Sequence, residues 1–245
     1  MARVLILVVL LGQVALAQNE VIPPIELKVG EGNLDTSLRL LILLTILALA
    51  PSILIMTTSF IRIVVVLSVL RQALGVPQVP PNQVIVSLAL FLTFFIMKPV
   101  FENINTNALQ PYMKEQISDQ EFFNRVTGSL KGFMLKQTRK DTVEVFMEVA
   151  KLKKEEREKI RKPSDIPLSI LIPAFMVSEL TTAFEIVFLL YIPFLIVDIV
   201  VASILISMGI IMIPPQIISL PFKIMLFVLA NGWELVVLSL VRSYQ

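Results

Sequence analysis

The sequence predicts an all-α, polytopic membrane-type protein built as two long proline-broken helical hairpins separated by a helical hydrophilic insert. Three observations carry this reading. The 245 residues are 56% apolar and 16% charged, with a mean hydropathy of +0.84. Soluble domains run at roughly 45–50% and about 25%, and a soluble core of this length cannot enclose so much apolar surface. The charges are concentrated: 23 of the 40 lie in residues 103–167. Finally, each flanking apolar block is too long for one simple span and is interrupted by proline.

Met1-Ala2-Arg3 is a short basic start, Val4 to Leu11 is wholly apolar, and Ala15-Leu16-Ala17 places small residues at the −3 and −1 positions. A run this short does not cross a hydrocarbon layer of roughly 30 Å. The pattern predicts a cleavable secretory signal peptide over 1–17, with the cut after Ala17. Residues 18–37, with Pro23-Pro24, Gly30 and Gly32, read as an extended external arm. Asp35, Thr36 and Ser37 are cap-type residues in front of the next apolar run.

The first hairpin is expected over 38–102. Leu38 to Leu70 is almost wholly apolar, and Pro51 is expected to kink or break it. Gly75 to Asn82, with three prolines, is a turn, and Asn82 can cap the following helix. That helix is expected from Gln83 to Met97, ending near Lys98-Pro99. The insert, 103–167, reads as helical over Glu115–Gly128 and Asp141–Ala150, with a solvated charge run from Lys151 to Lys162. The second hairpin is expected over 168–245. Pro173 and Pro193 should divide Leu168–Ser207, Gly209–Pro215 forms a loop, and one helix runs from Gln216 to about Leu240. Both blocks thus share one plan: a long broken helix, a loop, then a shorter helix.

Arg62, Glu179, Glu185, Asp198, Lys223 and Glu234 stand in apolar surroundings, where each charge costs a few kcal/mol at a bilayer centre. Glu185 and Asp198 are about 220° apart on a helix, so they face different neighbours. A proton or ion relay is one reading of these charges; pairing inside a multi-subunit assembly is the other. Asp198 and Lys223 are expected to pair. Counted from Pro214 and Pro215 as ideal helix, their depths differ by about 12 Å, which favours a contact between subunits over one within a chain.

The chain contains no Cys and no His, which excludes thiol chemistry, Cys/His zinc sites and His-based triads. A net charge of +2 does not suggest nucleic-acid binding. No phosphate-binding glycine loop, dinucleotide fingerprint or nucleophile elbow occurs. No catalytic residue, cofactor or metal is therefore expected, and an enzyme is not. The loop at Gly209–Pro215 is uncharged, so topology does not follow from charge counting. Three classes remain: a subunit of a membrane assembly, an autonomous secondary transporter with broken helices, and a passive scaffold.

Two stretches decide among them. One is Thr58-Ser59-Phe60-Ile61-Arg62 through Leu70-Arg71-Gln72-Ala73-Leu74-Gly75 to Pro80-Pro81-Asn82-Gln83-Val84. The other runs from Pro173-Ala174-Phe175 and Ser178-Glu179-Leu180 through Pro193-Phe194-Leu195, Asp198, Ser207-Met208-Gly209, Pro214-Pro215 and Ser219-Leu220-Pro221-Phe222-Lys223 to Gly232-Trp233. The chain resembles the FliP family of flagellar type III protein-export gates over nearly all of its mature length, with the insert matching only in position and character. The cleavable signal and external arm look more like the flagellar branch than the injectisome branch. The resemblance implies a core subunit of the export gate, in a pentamer with FliQ and FliR and alongside further export-apparatus proteins. Unfolded flagellar subunits would leave the cytoplasm through its closed helical cone. It implies an inner-membrane location in the flagellar basal body, with the mature N-terminus and insert periplasmic. It also implies that Met208, Gly209, Ile210, Ile211 and Met212 form a pore gate. The family's loop is often methionine-rich; here isoleucine stands at two of those places.

Overall fold

A computed structural model describes residues 34–151, 160 and 162–244. The signal segment 1–17, the arm up to residue 33 and most of the charge run Lys151–Lys162 lie outside these residues. The chain forms two compact units, residues 1–48 and 49–245. Of the first, the described part is the leading stretch of helix α1 (Leu34–Thr57). Asp35, Thr36 and Ser37 lie inside this helix rather than before it, so the last residues of the expected arm are helical.

Among the described residues of the second unit every regular element is a helix. The order is the end of α1, α2 (Phe60–Ala73), α3 (Asn82–Ile104), a π-helical turn (Asn105–Leu109), α4 (Gln110–Met113), α5 (Asp119–Gln137) and α6 (Lys140–Val149). A 3₁₀ turn (Pro163–Asp165) leads to α7 (Leu168–Ser207), α8 (Pro215–Leu229) and α9 (Gly232–Arg242). Asn82–Met113 and Leu168–Ser207 are each long and apolar enough to cross a membrane. So are two bent pairs, Pro51–Thr57 with α2 at 82° and α8 with α9 at 64°.

The breaks do not fall at the expected prolines. Pro51, Pro99, Pro173, Pro193 and Pro221 all lie inside helices. A proline deletes one i→i−4 bond and crowds one carbonyl; beside Pro99, Pro173, Pro193 and Pro221 the buried Met97, Ala174, Phe194 and Ser219 hold the helix, while Pro51 lies in an exposed stretch of α1. α7 is one helix of 40 residues, about 60 Å long, with buried residues from Ile170 to Leu205 holding it along its length. The first break comes instead at Thr58-Ser59, where the exposed end of α1 gives way to the buried face of α2. The second comes at Asn231, left-handed at φ 48°. The two blocks therefore do not share one plan: the first is a bent pair and then a straight helix, the second a straight helix and then a bent pair.

α2 is the centre of the main core. Ile63, Val66, Leu67 and Leu70 repeat at helical spacing and are fully buried. They pack with Ile85 and Ala89 of α3, Ala183, Val187 and Phe194 of α7, Phe227 of α8, and Val236 and Leu240 of α9. A smaller core joins the insert to the start of α7: Met134 and Val143 meet Ile170, Leu171, Ala174 and Phe175. α5 is capped by Ser118, whose hydroxyl accepts from the Glu121 amide at 3.3 Å. The expected boundary at 102/103 falls within the rod that α3 continues to Met113.

Gly232 is fixed by close approach: a Cβ there would lie 2.2 Å from the Phe227 ring. Gly232→Ala should force that core ring aside and destabilise the protein by about 1–3 kcal/mol, measured by thermal unfolding in detergent. At Gly132 in α5 a Cβ meets nothing within 4 Å, so Gly132→Ala should be neutral or stabilising by up to about 1 kcal/mol.

Candidate functional site

Arg62 and Glu179 are the two largest commitments of charge to the interior, at 2% and 0% side-chain exposure. The α2 face that carries Ile63 and Val66 also turns Arg62 inward, toward the buried Glu179 of α7. The pair is bidentate: Arg62 Nε donates to Glu179 Oε2 at 3.0 Å and Nη2 donates to Oε1. The remaining guanidinium donors are also used. Nη1 donates to the Ser243 carbonyl and hydroxyl, both at 2.9 Å, and Nη2 to Gln137 Oε1 at 3.3 Å. The guanidinium carbon stacks 3.8 Å from the centroid of the Tyr244 ring.

Tyr244 closes the group. Its hydroxyl donates to Glu179 Oε2 and lies 3.2 Å from the Ser59 carbonyl. Its backbone carbonyl accepts from Gln137 Nε2 at 3.3 Å, and its ring stacks on Phe133. Burial, reinforced by the Glu179 charge, pushes the Tyr244 hydroxyl well above the ordinary phenol value, so it stays protonated and donates. One polar cluster thus fastens α2, α5, α7, the α1–α2 bend and the segment after α9. Beside it, the Arg139 amide donates to the buried Ser178 hydroxyl at 3.1 Å, tying the start of α6 to α7.

The second cluster lies between α7 and α8. Lys223 Nζ is 2.6 Å from Asp198 Oδ2, and the Ser219 hydroxyl donates to Asp198 Oδ1 at 2.5 Å. Lys223 Nζ also reaches the Ala73 carbonyl at 3.4 Å, at the C-terminal end of α2, where the helix dipole favours a cation. The pair forms within one chain, which corrects the expected preference for a contact between subunits. The depth difference came from counting residues 208–214 as helix. α7 ends at Ser207 and α8 starts at Pro215. Asp198 is then nine residues before one end and Lys223 eight after the other, a mismatch of about 1.5 Å.

Two expected buried charges are on the surface. Glu185 is 56% exposed and pairs with Arg139 at 2.5 Å; α7 turns it away from Asp198, as their angular separation requires. Glu234 is exposed in the first turn of α9, where the helix dipole favours a carboxylate. Among the described residues no group of three or more acidic side chains is placed to hold a metal.

The loop between α7 and α8 carries its apolar residues outward. Ile211 is 81% and Met212 95% exposed, Met208 is exposed, and Ile210 is half-buried. Gly209 has φ +76°, a conformation that side-chain-bearing residues rarely adopt. The loop is therefore not packed against its own helices. Four members of the polar clusters were not foreseen: Gln137, Ser243, Tyr244 and Ser219. Ser219 had a readable signal, since it lies four residues before Lys223 on one helix face. The others are brought in by contacts across more than 60 residues, which no local pattern encodes.

Long apolar helices, outward apolar side chains and buried ion pairs between helices define a polytopic helical membrane protein. The sequence pattern of the FliP family matches residues 43–240. Similar proteins include the flagellar biosynthetic protein FliP of Aquifex aeolicus, 75% identical over 91% of this chain and 92% of the relative. That of Bacillus subtilis is 52% identical over 86% of this chain and 94% of the relative. That of Caulobacter vibrioides is 49% identical over 94% of this chain and 84% of the relative. The chain belongs to the FliP family, and its function is that family's: a core component of the flagellar protein-export gate. The autonomous-transporter reading has no support beside this.

Removing one partner of the first pair leaves a buried charge alone. Arg62→Met or Glu179→Leu should each cost about 3–5 kcal/mol, and the double variant less than either, read from unfolding and from the amount of folded protein in the membrane. Asp198→Asn or Lys223→Met should cost somewhat less, about 2–3 kcal/mol, because Asp198 keeps some solvent. Arg139→Ala, at an exposed pair, should stay within about 1 kcal/mol.

Proposed function

We propose that several copies of this chain, five by family resemblance, assemble with FliQ and FliR into a closed helical cone through which unfolded flagellar subunits leave the cytoplasm. The observation that carries this reading is α7. Its 40 residues, most of them apolar, extend about 60 Å, twice the roughly 30 Å of hydrocarbon that one span crosses. Apolar side chains stay exposed along it, from Phe184 to Ile206. Lipid covers only part of such a helix, and neighbouring subunits cover the rest.

In this reading the chain sits in the inner membrane at the flagellar basal body, with residues 18–37 and the insert 103–167 on the periplasmic side. The basic start and the Ala15-x-Ala17 pattern support removal of residues 1–17. Peptide mapping of the membrane-extracted protein should find Gln18 at the N-terminus; a mature chain that keeps Met1 overturns the external placement.

The gate is Met208 to Met212, with Ile210, Ile211 and Met212 at the constriction. A conduit for chains of every composition needs a seal with no fixed polar contacts. A narrow apolar ring supplies one by dewetting. Methionine adapts its shape, and isoleucine adds stiffer apolar bulk. The outward display of Ile211 and Met212 supports this role, because those side chains are free to meet other subunits. Replacing Ile210, Ile211 and Met212 by Ala should raise the ion conductance of a complex that still assembles. Unchanged conductance in the purified, intact complex would sink the gate.

A further inference from the structure

We propose that Ser219 is a positioning residue for the gate: its bond to Asp198 seats α8 against α7 and so sets where the loop between them presents Ile211 and Met212. This rests on the gate reading above and adds to it a residue outside the loop.

The loop does not place itself. Ile211 and Met212 are almost wholly exposed, and among the described residues the amides of Ile211, Met212 and Ile213 donate no backbone hydrogen bond. Its bonds are confined to its two ends. After α7 the Gly209 amide donates to the Ile206 carbonyl and the Ile210 amide to the Leu205 carbonyl, both at 2.9 Å, which closes that helix through Gly209 at positive φ. At the other end the Ile217 amide donates to the Pro214 carbonyl at 3.1 Å. Each end of the loop thus follows its own helix, and the course between them depends on how α8 sits on α7.

Near the loop few groups hold that seating. After Phe194, α7 buries only Val201 and Leu205, and before Phe227, α8 buries only Ser219 and Lys223. Apolar contact is non-directional and tolerates sliding. Asp198 supplies direction, because its two oxygens meet Ser219 and Lys223, one turn apart on α8. The two contacts differ in stiffness. Lys223 reaches through a flexible four-carbon stem and can follow a shift of α8. The Ser219 hydroxyl sits one carbon from the backbone and is fully buried, so its bond survives at one axial position of α8 on α7. A hydroxyl has one proton to give, and the charged Asp198 carboxylate takes it in preference to the Gln216 carbonyl at 3.2 Å.

Ser219→Ala removes the hydroxyl and leaves Asp198 paired with Lys223, so no buried charge is left alone. Two readouts decide. The chain contains no cysteine, so Ile206→Cys and Ile217→Cys, exposed positions on either side of the loop, take spin labels in copies diluted with unlabelled chains. Ser219→Ala should widen the distance distribution between these labels about two-fold, because α8 is then free to slide. It should also raise the ion conductance of the idle complex several-fold. Val236→Ala, which removes a buried side chain of α9, controls for lost stability and should change neither reading. An unchanged distribution for Ser219→Ala overturns the proposal, as does a Val236→Ala complex that widens and leaks equally. Wider distances without a leak, in a preparation where Ala at 210–212 does leak, overturn the link to the gate. If Ala at 210–212 does not leak either, the gate reading itself has failed, while the distances still decide how α8 is seated. The distance measurement needs only the folded full-length chain, so it decides even where Ser219→Ala lowers assembly.

Discussion

Arg62 and Glu179 are 117 residues apart in sequence, and the way the chain is gathered depends on their meeting. An ion pair taken out of water loses solvation worth several kcal/mol per ion. Coulomb attraction offsets that loss only when the geometry is good and the remaining donors and acceptors are satisfied. Here they are satisfied by Gln137 of α5 and by Ser243 and Tyr244 after α9. The pair therefore cannot be completed by α2 and α7 alone. It is favourable only when the insert and the distal end of the chain have also arrived. A cluster of this kind contributes more to which fold forms than to how stable the fold is, because apolar residues of similar volume would cost less to bury.

The same helix is tied at its other end. Lys223 reaches the Ala73 carbonyl, where α2 ends, while holding Asp198 of α7. Arg62 and Ala73 are eleven residues apart, about 16 Å along the axis. Between them lie Ile63, Val66, Leu67 and Leu70, all inaccessible to solvent or nearly so. The polar contacts fix the axial position of α2 and the apolar ones fix its depth. Apolar packing alone is non-directional and tolerates a slide along the axis. Two polar anchors at opposite ends do not.

The helical class, the hydrophilic insert and the residues of both ion pairs were legible in the sequence, because charge in an apolar run is conspicuous. Helix ends were not. Pro51 and Pro193 looked like breaks, yet their helices run through them, since a proline removes one local bond, and around Pro193 the buried Val187 and Phe194 also hold the helix. The break at Asn231-Gly232 carried a plain turn signal that the apolar run hid. Glu185 and Glu234 looked buried because their neighbours are apolar. A helix, however, shows each residue to a different side, and composition does not say which side is covered. The intrachain partner of Asp198 was misplaced by treating a loop as helix. Tyr244 and Ser243 gave no signal at all, because their roles come from contacts across 65 to 185 residues.

The spacing of the two clusters bears on how α7 meets a membrane. Glu179 and Asp198 are nineteen residues apart, about 28 Å on a straight helix. That is close to the thickness of a hydrocarbon layer. Polar clusters at both ends of such a stretch avoid the most expensive depth, the bilayer centre, and most side chains exposed between them, such as Phe184, Phe188, Leu189 and Ile196, are apolar; the exposed carboxylate there, Glu185, is paired with Arg139. Beyond Asp198 the helix continues with Ile199, Val200, Ile204 and Ile206 exposed, and the loop adds Met208, Ile211 and Met212. One hydrocarbon layer does not cover both lengths. Whichever part lies outside it displays a continuous apolar surface to water unless protein covers it. The length of α7 thus sets a requirement for neighbours that its own chain does not meet.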